Sequence, residues 1–162
     1  MKAKRQLVAA ALVCACAATL TSTGSATKSA TKQRIAILEY ASVDTGGSFE
    51  VVALTPGALK HDKGGVTLTG FVKAPVIRAG LLVTPVVAVT TATSKLGTFK
   101  LSQKIDSVDV GAGYSSDRGT WVMSNGTGVY AGVTGSGSFA AVGLPGGAGL
   151  NRIRQEGFIT KR

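Results

Sequence analysis

From about residue 35 the chain alternates short apolar runs with glycine, asparagine, aspartate and proline, and no stretch there repeats at helical spacing. Runs rich in Val, Ile, Thr and Phe between turn residues are the pattern of a chain built from strands. The first run is 35–43 (IAILEYASV), closed by Asp44-Thr45-Gly46-Gly47. The second, 48–54 (SFEVVAL), stops at Thr55-Pro56-Gly57, and 58–65 reads as a loop. Residues 66–72 (VTLTGFV) alternate cleanly, with Gly70 placed for a bulge. The stretch 76–93 is nearly all apolar over 81–89, but Pro85 cannot donate to a ladder, which predicts two short strands or an edge strand there. In 97–105 (GTFKLSQKI), Phe99 and Leu101 oppose Lys100, Ser102 and Lys104, so one face is dry and the other wet. Residues 107–110 extend that run and 111–119 (GAGYSSDRG) reads as loop.

The most structured signal lies at 119–139 (GTWVMSNGTGVYAGVTGSGSF). A strand at 120–124 meets Asn125-Gly126, where both residues tolerate positive φ, so a two-residue hairpin turn is expected before 129–142 pairs back. A loop at 143–149 and a last strand at 152–160 (RIRQEGFIT) complete the chain. The expectation is an all-β fold, one antiparallel closed barrel of about eight strands over residues 35–162, with a two-sheet sandwich as the alternative.

The first residues carry a different message. Lys2, Lys4 and Arg5 precede the uncharged run 7–20, and Gly24-Ser25-Ala26 approximates a small-residue cleavage site. That layout predicts a signal peptide over 1–26, a flexible lead-in over 27–34 and a secreted domain. The run is too short to span a bilayer as a helix. Both cysteines, Cys14 and Cys16, fall within the signal; Val13-Cys14-Ala15-Cys16 loosely resembles a lipobox, so lipid anchoring through Cys16 is the alternative. After cleavage no cysteine remains, which excludes disulfides, thiolate metal sites and cysteine nucleophiles.

Charge narrows the partners. The chain has 18 Lys+Arg against 8 Asp+Glu, a net charge of +10, which falls to +7 once the three signal-segment cations are removed. Such a balance favours anionic partners: wall or surface polymers, lipid headgroups or nucleic acid. The cations are scattered without basic–aromatic interleaving, which argues against nucleic acid.

Few residues carry chemistry. His61, the only histidine, sits between Lys60 and Asp62-Lys63 in a loop, and no nucleophile-elbow pattern accompanies it. One histidine and no mature cysteine leave no zinc set, and no metal or cofactor is expected. The match of Gly135 to Ala140 to G-x-G-x-x-A lies between two strand-like flanks, where a dinucleotide fingerprint needs a helix to follow. Glu39, Glu50 and Glu156 each lie in a strand-like run. An acid facing a dry interior would have a raised pKa, but acids are seldom buried unpaired, so the surface is their expected place. Trp121, Tyr130 and Phe139 either line a ligand cavity or fill the core, and core filling is the commoner fate of strand aromatics. The candidate cavity residues are therefore Trp121, Tyr130, Phe139, Glu39 and Glu156, with Asn125, Gly126, Thr127 and Gly128 as the structural turn.

The stretch from Gly97 to Phe139, with Gly119-Thr120-Trp121, Gly126-Thr127-Gly128, Tyr130 and Ala131-Gly132, resembles the allene oxide cyclase-like and dirigent-like β-barrels, most closely their secreted bacterial members of unknown function. Residues 154–158 (RQEGF) resemble the family's closing strand. The family often has Gly-Gly-Thr-Gly where this chain has Asn125-Gly126-Thr127-Gly128, and Asn accepts the same left-handed geometry. The resemblance implies an eight-stranded barrel with an apolar cavity. The family includes plant cyclases and proteins that steer radical coupling, so two roles stay open for this chain: a non-enzymatic protein binding a small apolar ligand or an anionic surface partner, or a cyclase or isomerase acting on a reactive apolar substrate. No catalytic motif of the family's enzymes is legible, so no catalytic residue is carried across.

Overall fold

A computed structural model describes residues 31–42, 45–145 and 151–162. The expected signal segment lies outside them. Nine strands occur among the described residues: β1 (Lys32–Ser42), β2 (Gly46–Ala53), β3 (Asp62–Val72), β4 (Val76–Arg78), β5 (Leu81–Ser94), β6 (Gly97–Gly111), β7 (Tyr114–Ser124), β8 (Val133–Gly143) and β9 (Asn151–Lys161). The one helical element among the described residues is a single 3-10 turn, Gly128–Tyr130. All pairings are antiparallel. They form one sheet in which β1, β2, β3, β5, β6, β7, β8 and β9 follow one another around a closed ring, with β4 attached only to β5. The ring closes where β1 meets β9, with Ile35 opposite Gly157.

Alternation decides what each strand gives to the interior. In β1 the inward set is Gln33, Ile35, Ile37, Glu39 and Ala41, and in β7 it includes Trp121 and Met123. The core joins these to Phe49, Val51, Phe99, Leu101, Tyr130, Phe139, Ile153 and Ile159. Burying one such aliphatic or phenyl side chain stabilises the fold by about 1.5–3 kcal/mol.

One inward row shows how the ring is filled. Around the wall it runs Ile35, Gly157, Gly137, Trp121, Gln103, Ala88. Gly157 leaves space that the indole takes. A Cβ on Gly157 would stand 2.7 Å from Trp121 Cζ2 and 2.2 Å from the Ser136 carbonyl oxygen.

One end of the ring is plugged. Gln33 donates from Nε2 to the Leu59 carbonyl at 2.6 Å and accepts the Leu59 N–H at Oε1 at 2.9 Å, which holds Leu59 inside. Tyr130 enters from the 3-10 turn, and its ring packs 4.5 Å, centroid to centroid, from Phe99.

Several boundaries differ from the expectation. The lead-in is strand from Lys32, because Gln33 continues the inward alternation and is bonded. The 58–65 loop yields to strand at Asp62, and the 111–119 loop shrinks to a turn around Ala112 and Gly113, both at positive φ. Pro85 lies within β5 rather than at a strand end. There the β3 pairing has stopped at Val86 and the β4 pairing begins at Val83, so no ladder needs an N–H from Pro85, and its carbonyl accepts the Lys73 N–H at 2.9 Å. Asn125 does hold φ 51°, but Asn125-Gly126 is not a two-residue turn. The β7–β8 connection runs over 125–132, because it must fold back to insert Tyr130. Thr127 pins that loop to β6, its hydroxyl accepting the Thr98 N–H at 3.0 Å.

Candidate functional site

The interior above the Trp121 row is more polar than a packed core requires. Its next-but-one inward row runs Glu39, Ile153, Ala141, Asp117, Ser107, Thr84. Glu39 was expected at the surface, yet it is 1% exposed. Its Oε1 accepts from Gln155 Nε2 at 2.7 Å, while Oε2 has no partner among the described residues. Burial drives the Glu39 pKa from 4.5 up to about 7, against the opposing pull of the Gln155 hydrogen bond. Asp117 Oδ1, Gln155 Oε1, Gln103 Nε2 and Trp121 Nε1 are buried and unpartnered as well. Buried polar groups are normally bonded, so this seam marks where the interior departs from simple packing.

Near this row, at the end opposite the plug, lies a cavity of about 350 Å³ lined by Val72, Thr84, Val86, Ser107, Asp109, Gly113, Tyr114 and Ser115. Its walls mix valines with hydroxyls and one carboxylate. Glu39 does not line it. A group as basic as the Glu39 carboxylate could accept or donate a proton near neutral pH.

The other candidates separate. Trp121, Tyr130 and Phe139 are all buried in the core. Glu156 points outward, between Arg154 and Arg34, whose hydrogen bonds lower its pKa. Glu50 is also on the outer face, with His61 Nε2 2.6 Å from its Oε1. His61 is exposed and part of no triad. No group of three His, Cys, Asp or Glu side chains is arranged to hold a metal among the described residues. All described Lys and Arg side chains are exposed.

Sequence reasoning missed Asp62. It is buried at the plugged end, where its Oδ2 accepts from the Tyr130 hydroxyl at 2.7 Å and from the Ser94 hydroxyl at 2.7 Å. Burial and the adjoining Asp62 push the Tyr130 pKa well above its ordinary value. The period-two series Asp62, Gly64, Val66, Leu68 could have revealed it. Gln103 and Gln155 were likewise readable as inward, in phase with Leu101 and Ile153. Comparison of the chain with protein-family models, with curated proteins and with solved structures returns no match.

Proposed function

We propose that this chain is an exported, non-enzymatic β-barrel that binds one small apolar or amphiphilic molecule at the open end of its ring. The observation that carries this reading is the 350 Å³ cavity beside exposed Val72 and Tyr114, at the end away from the plug. That volume is at the low end of the ~300–1,000 Å³ typical of ligand sites. It suits a single compact molecule. The centre of the ring is occupied by Trp121, Phe99 and Leu101, so the space for a long ligand or a reaction chamber is filled.

The likeness to the allene oxide cyclase-like and dirigent-like barrels is part of the same proposal. Its support is the closed ring of eight antiparallel strands, with the 119–121 tryptophan in the core and the 154–158 segment in the closing strand. The exposed cations supply a second, weaker handle on anionic wall polymer. The alternative reading, a cyclase or isomerase, is favoured by one observation, the buried Glu39 with its unpartnered oxygen.

The test fills the cavity. Val86→Phe should reduce binding of a fluorescent apolar probe by about tenfold or more, and should strip co-purifying small molecules seen by mass spectrometry of the wild type. Equal binding by both proteins, or an empty wild type that takes no probe, would overturn the reading. Export is tested by the N-terminus of secreted material, expected near Thr27. A diacylglyceryl group on Cys16 would establish the lipid-anchored form, and an intact Met1 on cytosolic protein would end both.

A further inference from the structure

The least expected surface of this molecule is the β4–β5 ribbon. Ala79 at φ 49° and Gly80 at φ 79° make a tight turn, which pairs Ile77 with Leu82 and Arg78 with Leu81. Strands of a water-facing ribbon normally alternate apolar and polar positions. This one does not. Ile77 is 74% exposed, Leu82 60% and Leu81 50%, and Val76 is also exposed. Residues 74–85 (APVIRAGLLVTP) contain one charge, Arg78. Phe71, Val72 and Val110 extend the apolar surface along the same end of the ring, and all three are more than half exposed.

Two observations identify what covers it. First, the ribbon presents apolar side chains on both of its faces: Ile77 and Leu82 on one, Val76 and Leu81 on the other. A flat protein partner or a second copy of the chain covers one face of a protruding element, whereas a lipid medium surrounds it. Second, the base of the ribbon adjoins a groove of about 430 Å³ lined by Lys73, Arg78, Val87, Lys104 and Asp106. Arg78 neutralises Asp106 at 2.5 Å, which leaves Lys73 and Lys104 without an acidic partner among the described residues. Of the other acids of this end, Asp109 accepts the Gly111 N–H at 2.7 Å, while Glu39 and Asp117 belong to the inward row. Apolar side chains beyond a pair of uncompensated ammonium groups match the layering of acyl chains beneath anionic headgroups.

We propose that the β4–β5 ribbon docks this protein on an anionic lipid surface, with Ile77, Leu81 and Leu82 in the acyl boundary and Lys73 and Lys104 at the headgroups. The attachment is peripheral, and it does not depend on what occupies the mouth cavity.

Flotation of the secreted protein, whose N-terminus is expected near Thr27, with vesicles of phosphatidylcholine, alone or mixed with phosphatidylglycerol, tests it. Wild-type protein should float with the mixed vesicles and much less with phosphatidylcholine alone. Ile77→Ser combined with Leu82→Ser should lower partition into mixed vesicles by at least about tenfold, as the loss of two inserted side chains requires. Lys73→Glu with Lys104→Glu should abolish the preference for phosphatidylglycerol. The circular dichroism and melting of both variants should match wild type, because every substituted side chain is exposed. Binding of the apolar probe in vesicle-free solution by the Ile77/Leu82 variant should also be unchanged, which separates this proposal from the ligand reading. Flotation of that variant at the wild-type level would overturn the proposal. So would a wild-type dimer in sedimentation that the variant converts to monomer, since the ribbon would then be a self-contact.

Discussion

Replacing Glu39 by glutamine should stabilise the protein in mild alkali and leave it nearly unchanged in acid. In the unfolded chain the Glu39 carboxyl takes its ordinary value of 4.5, whereas burial raises it to about 7 in the fold. Between those pH values the folded chain holds a proton that the unfolded chain has released, so wild-type stability falls as pH rises through the interval. At about 1.4 kcal/mol per pH unit, the full interval amounts to about 3 kcal/mol. The loss is complete above the folded value and absent below 4.5. Glutamine at 39 has the same shape, keeps an oxygen for the Gln155 Nε2 donor and cannot ionise. Urea unfolding of both proteins from pH 4 to pH 8.5 measures the effect, and the difference isolates Glu39 because all other titrating groups are shared. The variant should gain about 2–3 kcal/mol over wild type at the top of that range, with an unchanged dependence on urea. Parallel curves for the two proteins, or a variant less stable than wild type at pH 8, would refute a dry environment for this carboxyl.

Tyr130→Phe removes the hydroxyl that donates to Asp62 and should cost about 1–2 kcal/mol, seen as a lower melting temperature; an unchanged one would mean the plug does not need this bond. Gly157→Val drives a side chain toward Trp121 Cζ2 and the Ser136 carbonyl, so about 1–3 kcal/mol should be lost and tryptophan emission should shift to the red. Unaltered emission and stability would show slack that the packing of this row does not predict. Binding to an anionic wall polymer should weaken strongly between low and high salt, because charges on exposed side chains are screened over ~8 Å at physiological ionic strength. It should survive loss of any single lysine, and a salt-insensitive complex, or one abolished by Arg154→Ala, would point to a defined pocket instead.

The strands were legible where one face is apolar and the other is not. Residues 97–105 and 66–72 show this, and their inward side chains follow the alternation read from them. The phase of β1 was not legible, because Ile35, Ala36, Ile37 and Leu38 are all apolar and Ala36 is itself buried from the outer side. That ambiguity hid the inward setting of Glu39. In β9 the opposite holds: Arg152 and Arg154 mark the wet face, and Glu156 shares their phase. The ladder at Pro85 could not be foreseen, since it depends on where β3 ends and β4 begins along the same edge. Loop lengths failed for a related reason. The 125–132 connection is set by the distance Tyr130 must cover to Asp62, a contact between positions far apart in the chain. The mouth cavity comes from four strands and a turn together, and no local run of residues encodes it.

The seam between β1 and β9 also dictates an order of events during synthesis. Until the last strand, ending at Lys161, has left the ribosome, β1 and β8 each lack one neighbour and the circle stays open. Contacts of such long sequence separation form slowly, because the loop between them must close before anything rewards it. The ring stays open until β9 is available, and a truncation that removes β9 should leave two sticky edges rather than a smaller domain. A ring that closes only when β9 arrives is a timer as much as a container.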